Sequence, residues 1–134
     1  MQLQAAVKKV PVMRVSFTIP GRPVPKQRPR MGPNGHVYTP KNCREYEKKV
    51  AATAYTVFRR PYAGPVALEV NFFLTSRPGD LDNYVKAVSD GLNRIAYQDD
   101  RQVVELKAKL TVMKGISERA EVTIRALPLK FVIQ

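Results

Sequence analysis

All five aspartates of this 134-residue chain, Asp80, Asp82, Asp90, Asp99 and Asp100, fall within 21 residues. Around them the chain is strongly basic. Residues 1–62 carry 13 Lys/Arg against Glu45 and Glu47, so that segment holds +11 of the total net charge of +12. Clustered carboxylates are ligands for hard divalent cations. A cationic surface attracts polyanions and neutralises phosphates. The combination is what metal-dependent nucleic-acid chemistry requires.

The run Gly79-Asp80-Leu81-Asp82-Asn83-Tyr84-Val85-Lys86 carries most of this signal. In an extended segment, side chains at i and i+2 point the same way, so Asp80 and Asp82 converge just before a helix. Two converging carboxylates repel unless a cation or a proton holds them. Mg²⁺ suits oxygen-only ligands and is commonly held by one or two carboxylates plus water and phosphate. Lys86 follows Asp82 by four residues and projects from the same side of the first turn. It could bind a phosphate oxygen, stabilise transition-state charge or orient a carboxylate. Helix capping competes as an explanation, but it accounts for one aspartate rather than two. Asp90 flanks apolar Val88 and Leu92, and a structural or solvated role is expected for it.

Other chemistries are poorly supplied. His36 is the single histidine and Cys43 the single cysteine, which argues against a Cys/His zinc site and against a Ser/His/Asp triad. His36 sits in Gly-Pro-Asn-Gly-His and reads as a surface-loop residue. One cysteine allows no intrachain disulfide, in keeping with a reducing, cytoplasmic setting. No run of 18 apolar residues suggests a membrane span, and the first residues lack the apolar stretch of a signal peptide. A pI near 10.1 points to an anionic partner.

These groups must be positioned by a small scaffold. Residues 1–11 read as a flexible terminus. Val12–Ile19 alternates as a strand. Residues 20–38 hold five prolines and three glycines and read as a basic, proline-rich loop. Thr39 as N-cap and Pro40 as first helical residue predict a helix, which continues through Phe58 to Arg59-Arg60. Val66–Thr75 is the clearest strand. A second helix is expected over about Asp82–Ile95, with Asp82 as its N-cap. Val103–Met113 and Glu121–Leu127 read as two strands in a hairpin. The expected fold is α+β, a single domain over 1–134 with a mixed sheet of about four strands and two main helices. How the Asp99-Asp100 turn reaches Asp80 and Asp82 is not readable, because the intervening helix carries the chain roughly 20 Å away.

The longer pattern is recognisable. Gly-Asp-Leu-Asp-Asn-Tyr-Val-Lys-Ala-Val-Ser-Asp-Gly-Leu-Asn, then Gln-Asp-Asp-Arg-Gln-Val-Val, resembles the signature of the RusA family of Holliday-junction resolvases. Pro23-Val-Pro-Lys-Gln-Arg-Pro-Arg30 and Tyr38-Thr-Pro40 with Tyr46-Glu47 extend the likeness to roughly residues 14–125. The resemblance implies a homodimeric, Mg²⁺-dependent endonuclease that resolves four-way DNA junctions by paired nicking in recombination and repair, often phage- or prophage-encoded. Mn²⁺ is expected to substitute. It implies metal-holding carboxylates at Asp80, Asp82 and Asp100, with Asp99 the alternative to Asp100, and a catalytic Lys86. Arg22, Lys26, Arg28 and Arg30, extended by Lys48 and Lys49, are expected to contact DNA phosphates. A broader branched-DNA or flap nuclease and a non-catalytic junction-binding protein are the competing readings.

Overall fold

The computed structural model describes residues 13–128, so the flexible terminus expected over 1–11 lies outside them. Strand β1 spans Arg14–Pro20, and a two-residue ladder, β2 (Arg30–Met31) with β3 (Val37–Tyr38), follows. Helix α1 spans Lys41–Tyr55, β4 Val66–Leu74 and helix α2 Leu81–Leu92. A 3₁₀ turn at Asp100–Gln102 leads into β5 (Val103–Val112), and β6 spans Arg119–Ala126. The result is the α+β fold, one small domain with a mixed four-stranded sheet and two helices.

The sheet order is β1-β6-β4-β5. β4 lies inside because it is the most apolar strand. Val66, Leu68, Val70, Phe72 and Leu74 are each at most 2% exposed on the face that the helices cover. Such a strand gains most from a neighbour on each side. β6 pairs antiparallel with it and β5 pairs parallel. This corrects the expected hairpin: β5 and β6 are separated by β4. A parallel neighbour requires a crossover, and α2 provides it. The connection from β5 to β6 crosses the end of β4. There the Glu118 carboxylate accepts from the Thr75 backbone N–H at 3.0 Å and from its hydroxyl at 2.9 Å.

Both helix boundaries differ from expectation. Pro40, not Thr39, occupies the N-cap of α1, and no side chain caps it. The helix stops at Tyr55 rather than at the arginine pair. Phe58 leaves the helical path to bury its ring edge-on against Phe17 and Tyr62, at 6.3 and 5.5 Å between centroids. Tertiary packing of one aromatic overrides a weak run of Thr and Val. α2 begins one residue early, with Asp80 rather than Asp82 at the N-cap, and ends at Leu92. Arg94 then takes a left-handed conformation at φ 70° and turns the chain. Within the loop 20–38, the β2–β3 ladder adds local order, and exposed His36 accepts from Gly32 N–H through its backbone carbonyl.

The two helices touch at Gly91. A Cβ there would stand 2.7 Å from Val50 Cβ and 2.9 Å from the Glu47 carbonyl oxygen. Only glycine permits that approach.

Candidate active site

Asp80 and Asp82 stand at the start of α2, both exposed. If Asp80 were there to cap the helix, its carboxylate would accept an orphan N–H of the first turn. It makes no such bond. Among the described residues neither carboxylate has an ion-pair partner. Two adjacent, unsatisfied carboxylates are electrostatically unfavourable without a cation.

The backbone that carries them is tightly held. Gly79 N–H donates to the Tyr84 hydroxyl at 2.9 Å, and buried Tyr84 packs on Phe72. Arg77 sits in the left-handed region at φ 52°, a position unfavourable for a side chain. Arg22 supports it by donating to the Ser76 and Arg77 carbonyl oxygens at 2.8 and 2.9 Å while pairing with Glu118 at 2.6 Å. The Thr75 and Arg22 donors hold the Glu118 carboxyl below its ordinary range, with the Thr75 backbone N–H the largest cause.

The proline-rich segment forms the facing wall. A cleft of about 900 Å³ is lined on one side by the run from Pro25 to Arg30 and on the other by Gly79, Asp80, Asp82 and Asn83. The segment is anchored rather than loose. Pro23 is buried, the Cys43 thiol donates to the Pro25 carbonyl at 3.5 Å, and Lys26 N–H donates to the Asn83 carbonyl at 2.9 Å. Arg28 and Arg30 remain exposed at the cleft. Lys48 and Lys49 are exposed on α1, and the Lys49 ammonium lies against Gly21.

Beside the free pair runs a chain of ion pairs. Lys26 Nζ meets Glu47 at 2.6 Å and Asp90 at 3.2 Å. Lys86 Nζ meets Asp90 at 3.1 Å and Asp100 at 3.6 Å. Asp82, Lys86 and Asp90 share one face of α2 by their four-residue spacing. The hydrogen bond to Asp90 raises the Lys86 ammonium above its ordinary pKa, against the opposing effect of burial. Burial is the largest influence on Lys26, yet its two carboxylate partners outweigh it and raise that pKa too.

The two aspartates of the turn diverge. Asp99 accepts from the Arg101 backbone N–H at 2.8 Å and completes a capping box with Gln102. That N–H is the main reason its carboxyl lies below the ordinary range. Asp100 faces Lys86 instead. Tyr97 holds the turn to the helix, its buried hydroxyl donating to the Ser89 carbonyl at 3.0 Å. The sequence-predicted residues therefore form two groups: Asp80 and Asp82 with Arg28 and Arg30 at the cleft, and Lys86 with Asp100. Lys26 and Arg22 hold the fold together at the edges of both. Among the described residues no three His, Cys, Asp or Glu side chains gather as a metal cage. The donor set nonetheless fits a hard divalent ion of the kind held by one or two carboxylates, with water and substrate phosphate completing its shell.

Sequence reasoning missed Glu47 and Glu118, which restrain Lys26 and Arg22. It also left Asp90 outside the site. The signal for Asp90 was present, since it lies four residues after Lys86 and eight after Asp82.

Unpaired carboxylates facing a cationic wall are the arrangement of a DNA-cutting hydrolase. The family described as Endodeoxyribonuclease RusA matches residues 20–125, and this chain belongs to it. Its members are endonucleases that act on branched DNA at Holliday junctions and generally depend on divalent metal. A relative in Bacillus subtilis (strain 168), described as Uncharacterized protein YqaN, is 35% identical over 142 residues, covering 83% of this chain and 95% of its own length. No helix among the described residues is long and apolar enough to cross a membrane.

Proposed function

We propose that this protein, as a homodimer, resolves four-way DNA junctions by paired, Mg²⁺-dependent nicking. The observation that carries the reading is the unpartnered Asp80–Asp82 pair, set across a cleft from Arg28 and Arg30. Asp80 and Asp82 would hold the metal, with Mn²⁺ able to substitute for Mg²⁺. When bound, the ion supplies a Lewis acid that activates water and offsets charge on the leaving 3′ oxygen. Asp100 would be the third ligand in this reading, with the Lys86 ammonium beside it at 3.6 Å. Asp99 is already committed to its own turn. Lys86 stays charged throughout the neutral range, which suits it to stabilise the negative transition state. Arg28 and Arg30 neutralise backbone phosphates on the facing wall without reading sequence, and Lys48 and Lys49 extend that patch. Arg22 and Lys26 fix the walls. Two subunits would provide two sites for two strands.

The test uses synthetic four-way junctions, flaps and duplexes with Mg²⁺, Mn²⁺ or chelator. Wild type should cut junctions in symmetric nicks, leaving 5′ phosphate and 3′ hydroxyl ends, and chelator should abolish cutting. Asp80→Asn should retain junction binding and lose cleavage. Cleavage by Asp80→Asn at the wild-type rate would sink the metal-ligand assignment, and equal cutting of flaps and junctions would replace the resolvase with a broader branched-DNA nuclease.

A further inference from the structure

We infer that Gln102 is a positioning residue: its side-chain amide locks the 99–102 turn to the 62–65 loop and so selects Asp100, rather than Asp99, to face Lys86. The inference rests on the proposed function insofar as Asp100 is read there as a metal ligand. Half-buried Gln102 makes four hydrogen bonds through one amide. Its carbonyl oxygen accepts from the Gln98 and Asp99 backbone N–H groups at 2.8 and 3.1 Å. Its NH₂ donates to the Tyr62 and Gly64 carbonyl oxygens, each at 2.8 Å. Two lone pairs and two N–H donors are the whole capacity of a side-chain amide. The orientation is therefore forced. A flipped amide would set its oxygen against two carbonyl oxygens and its NH₂ against two N–H groups.

Turn closure alone does not account for this arrangement. A capping box needs only an acceptor for the N-cap N–H, which a glutamate supplies equally well. The two donors to Tyr62 and Gly64 go beyond it. They tie the turn to a segment that is itself held at both ends. Tyr62 N–H donates to the Ala96 carbonyl at 2.8 Å, and the Pro65 carbonyl accepts from Leu127 N–H at 2.9 Å. The Tyr62 ring packs edge-on against Phe58. The strand that follows is adjusted to the turn as well. Val66 faces Val103, but Ala67 faces Glu105, which leaves Val104 as an extra residue. A bulge of this kind bends its strand and re-aims neighbouring side chains.

The lock matters because the turn carries two identical side chains. Asp99 is spent on the Arg101 N–H at 2.8 Å, and Asp100 lies 3.6 Å from Lys86 Nζ. The orientation of the turn decides which carboxylate reaches Lys86, and the bonds to the loop fix that orientation. Glutamate at position 102 would keep both acceptors, lose both donors and bring a carboxylate against two carbonyl oxygens. It breaks the link to the loop while preserving the shape of the side chain.

The test is Gln102→Glu, with Gln102→Met as an uncharged variant of similar shape should the glutamate fail to fold; circular dichroism checks folding. In crystal structures of these variants the Asp100 carboxylate should leave Lys86. Mn²⁺ affinity, read by electron paramagnetic resonance on the protein without DNA, should fall about tenfold, the scale of losing a group that orients a metal ligand. Adding the same change to Asp100→Asn should cost less than about twofold further, since the two residues act as one unit. Asp100 remaining on Lys86 in both variants overturns the inference. So does a Mn²⁺ loss of the same size with and without Asp100, which marks a general structural role. The proposed function fails differently: Asp100 displaced, with Mn²⁺ affinity and junction cleavage at wild-type levels, leaves Gln102 as a positioning residue and removes Asp100 from the ligand set.

Discussion

The start of α2 and its last turn treat the same residue type in opposite ways. At the start, Asp80 and Asp82 are exposed and unpaired. Two to three turns on, Asp90 takes ammonium groups from Lys26 and Lys86, and Lys86 reaches on to Asp100. The difference separates carboxylates that are satisfied by the protein from carboxylates that wait for something else. Five aspartates in one window are therefore not one site with five equivalent ligands. They are a free pair next to a charge-balanced frame.

Mutagenesis tests this contrast directly. The largest effect is expected at the free pair. Asp80→Asn or Asp82→Asn should lower the cleavage rate by about 100- to 1000-fold or more, on the scale of removing one preorganised electrostatic group, while thermal stability stays within about 0.5 kcal/mol of wild type. A large stability loss instead would erase the distinction. Lys86→Met comes next, with cleavage down about 100-fold and junction affinity nearly unchanged.

Asp90→Asn should do the reverse of the free-pair changes, destabilising the fold by about 1–3 kcal/mol because it leaves the lysines of the frame under-satisfied. The linkage has a definite sign. Lys86 and Lys26 have raised folded-state pKa values, so their contribution is fully present below the ordinary lysine value of 10.5 and is lost as pH rises past it. Unfolding followed from pH 8 to 12 should show a steep alkaline loss in wild type and a shallower one in Asp90→Asn. Replacing Arg28 and Arg30 by Ala should reduce the salt dependence of junction binding by about one unit of slope each; an unchanged slope would remove that wall from DNA contact. The smallest effect is at Glu118, whose folded pKa is lowered. Its contribution is present above the ordinary value of 4.5 and is lost as pH falls through the lowered value. Glu118→Gln should flatten the acid limb of the unfolding profile between 4.5 and the lowered value.

The sequence was most readable where chemistry and periodicity coincide. The alternation of Val66 to Leu74 announces a buried strand, and the DLDN run announces the helix start and its acids. It was least readable where distant segments compete. The β5–β6 hairpin was the local choice, and it lost because β4 accepts both strands as neighbours. Phe58 ended α1 early because Phe17 and Tyr62 surround its ring. The split between Asp99 and Asp100 could not be read from adjacent identical residues. It follows from Gln102, which closes a turn that points one carboxylate inward on itself and leaves the other facing Lys86.

The glycine contact between the helices has a consequence for how substrate is admitted. With no room for even a methyl group between Gly91 and Val50, α1 and α2 behave as one rigid body. The cationic helix and the acid-bearing helix cannot adjust separately to an incoming strand. A mismatch with the two helices then falls to the DNA, whose flexible steps bend and kink readily. On this view the enzyme is a fixed gauge and the nucleic acid is the compliant part. Hydrogen exchange would show it: amides of both helices should keep the same protection with and without junction bound, and a selective loosening of either helix would contradict the gauge.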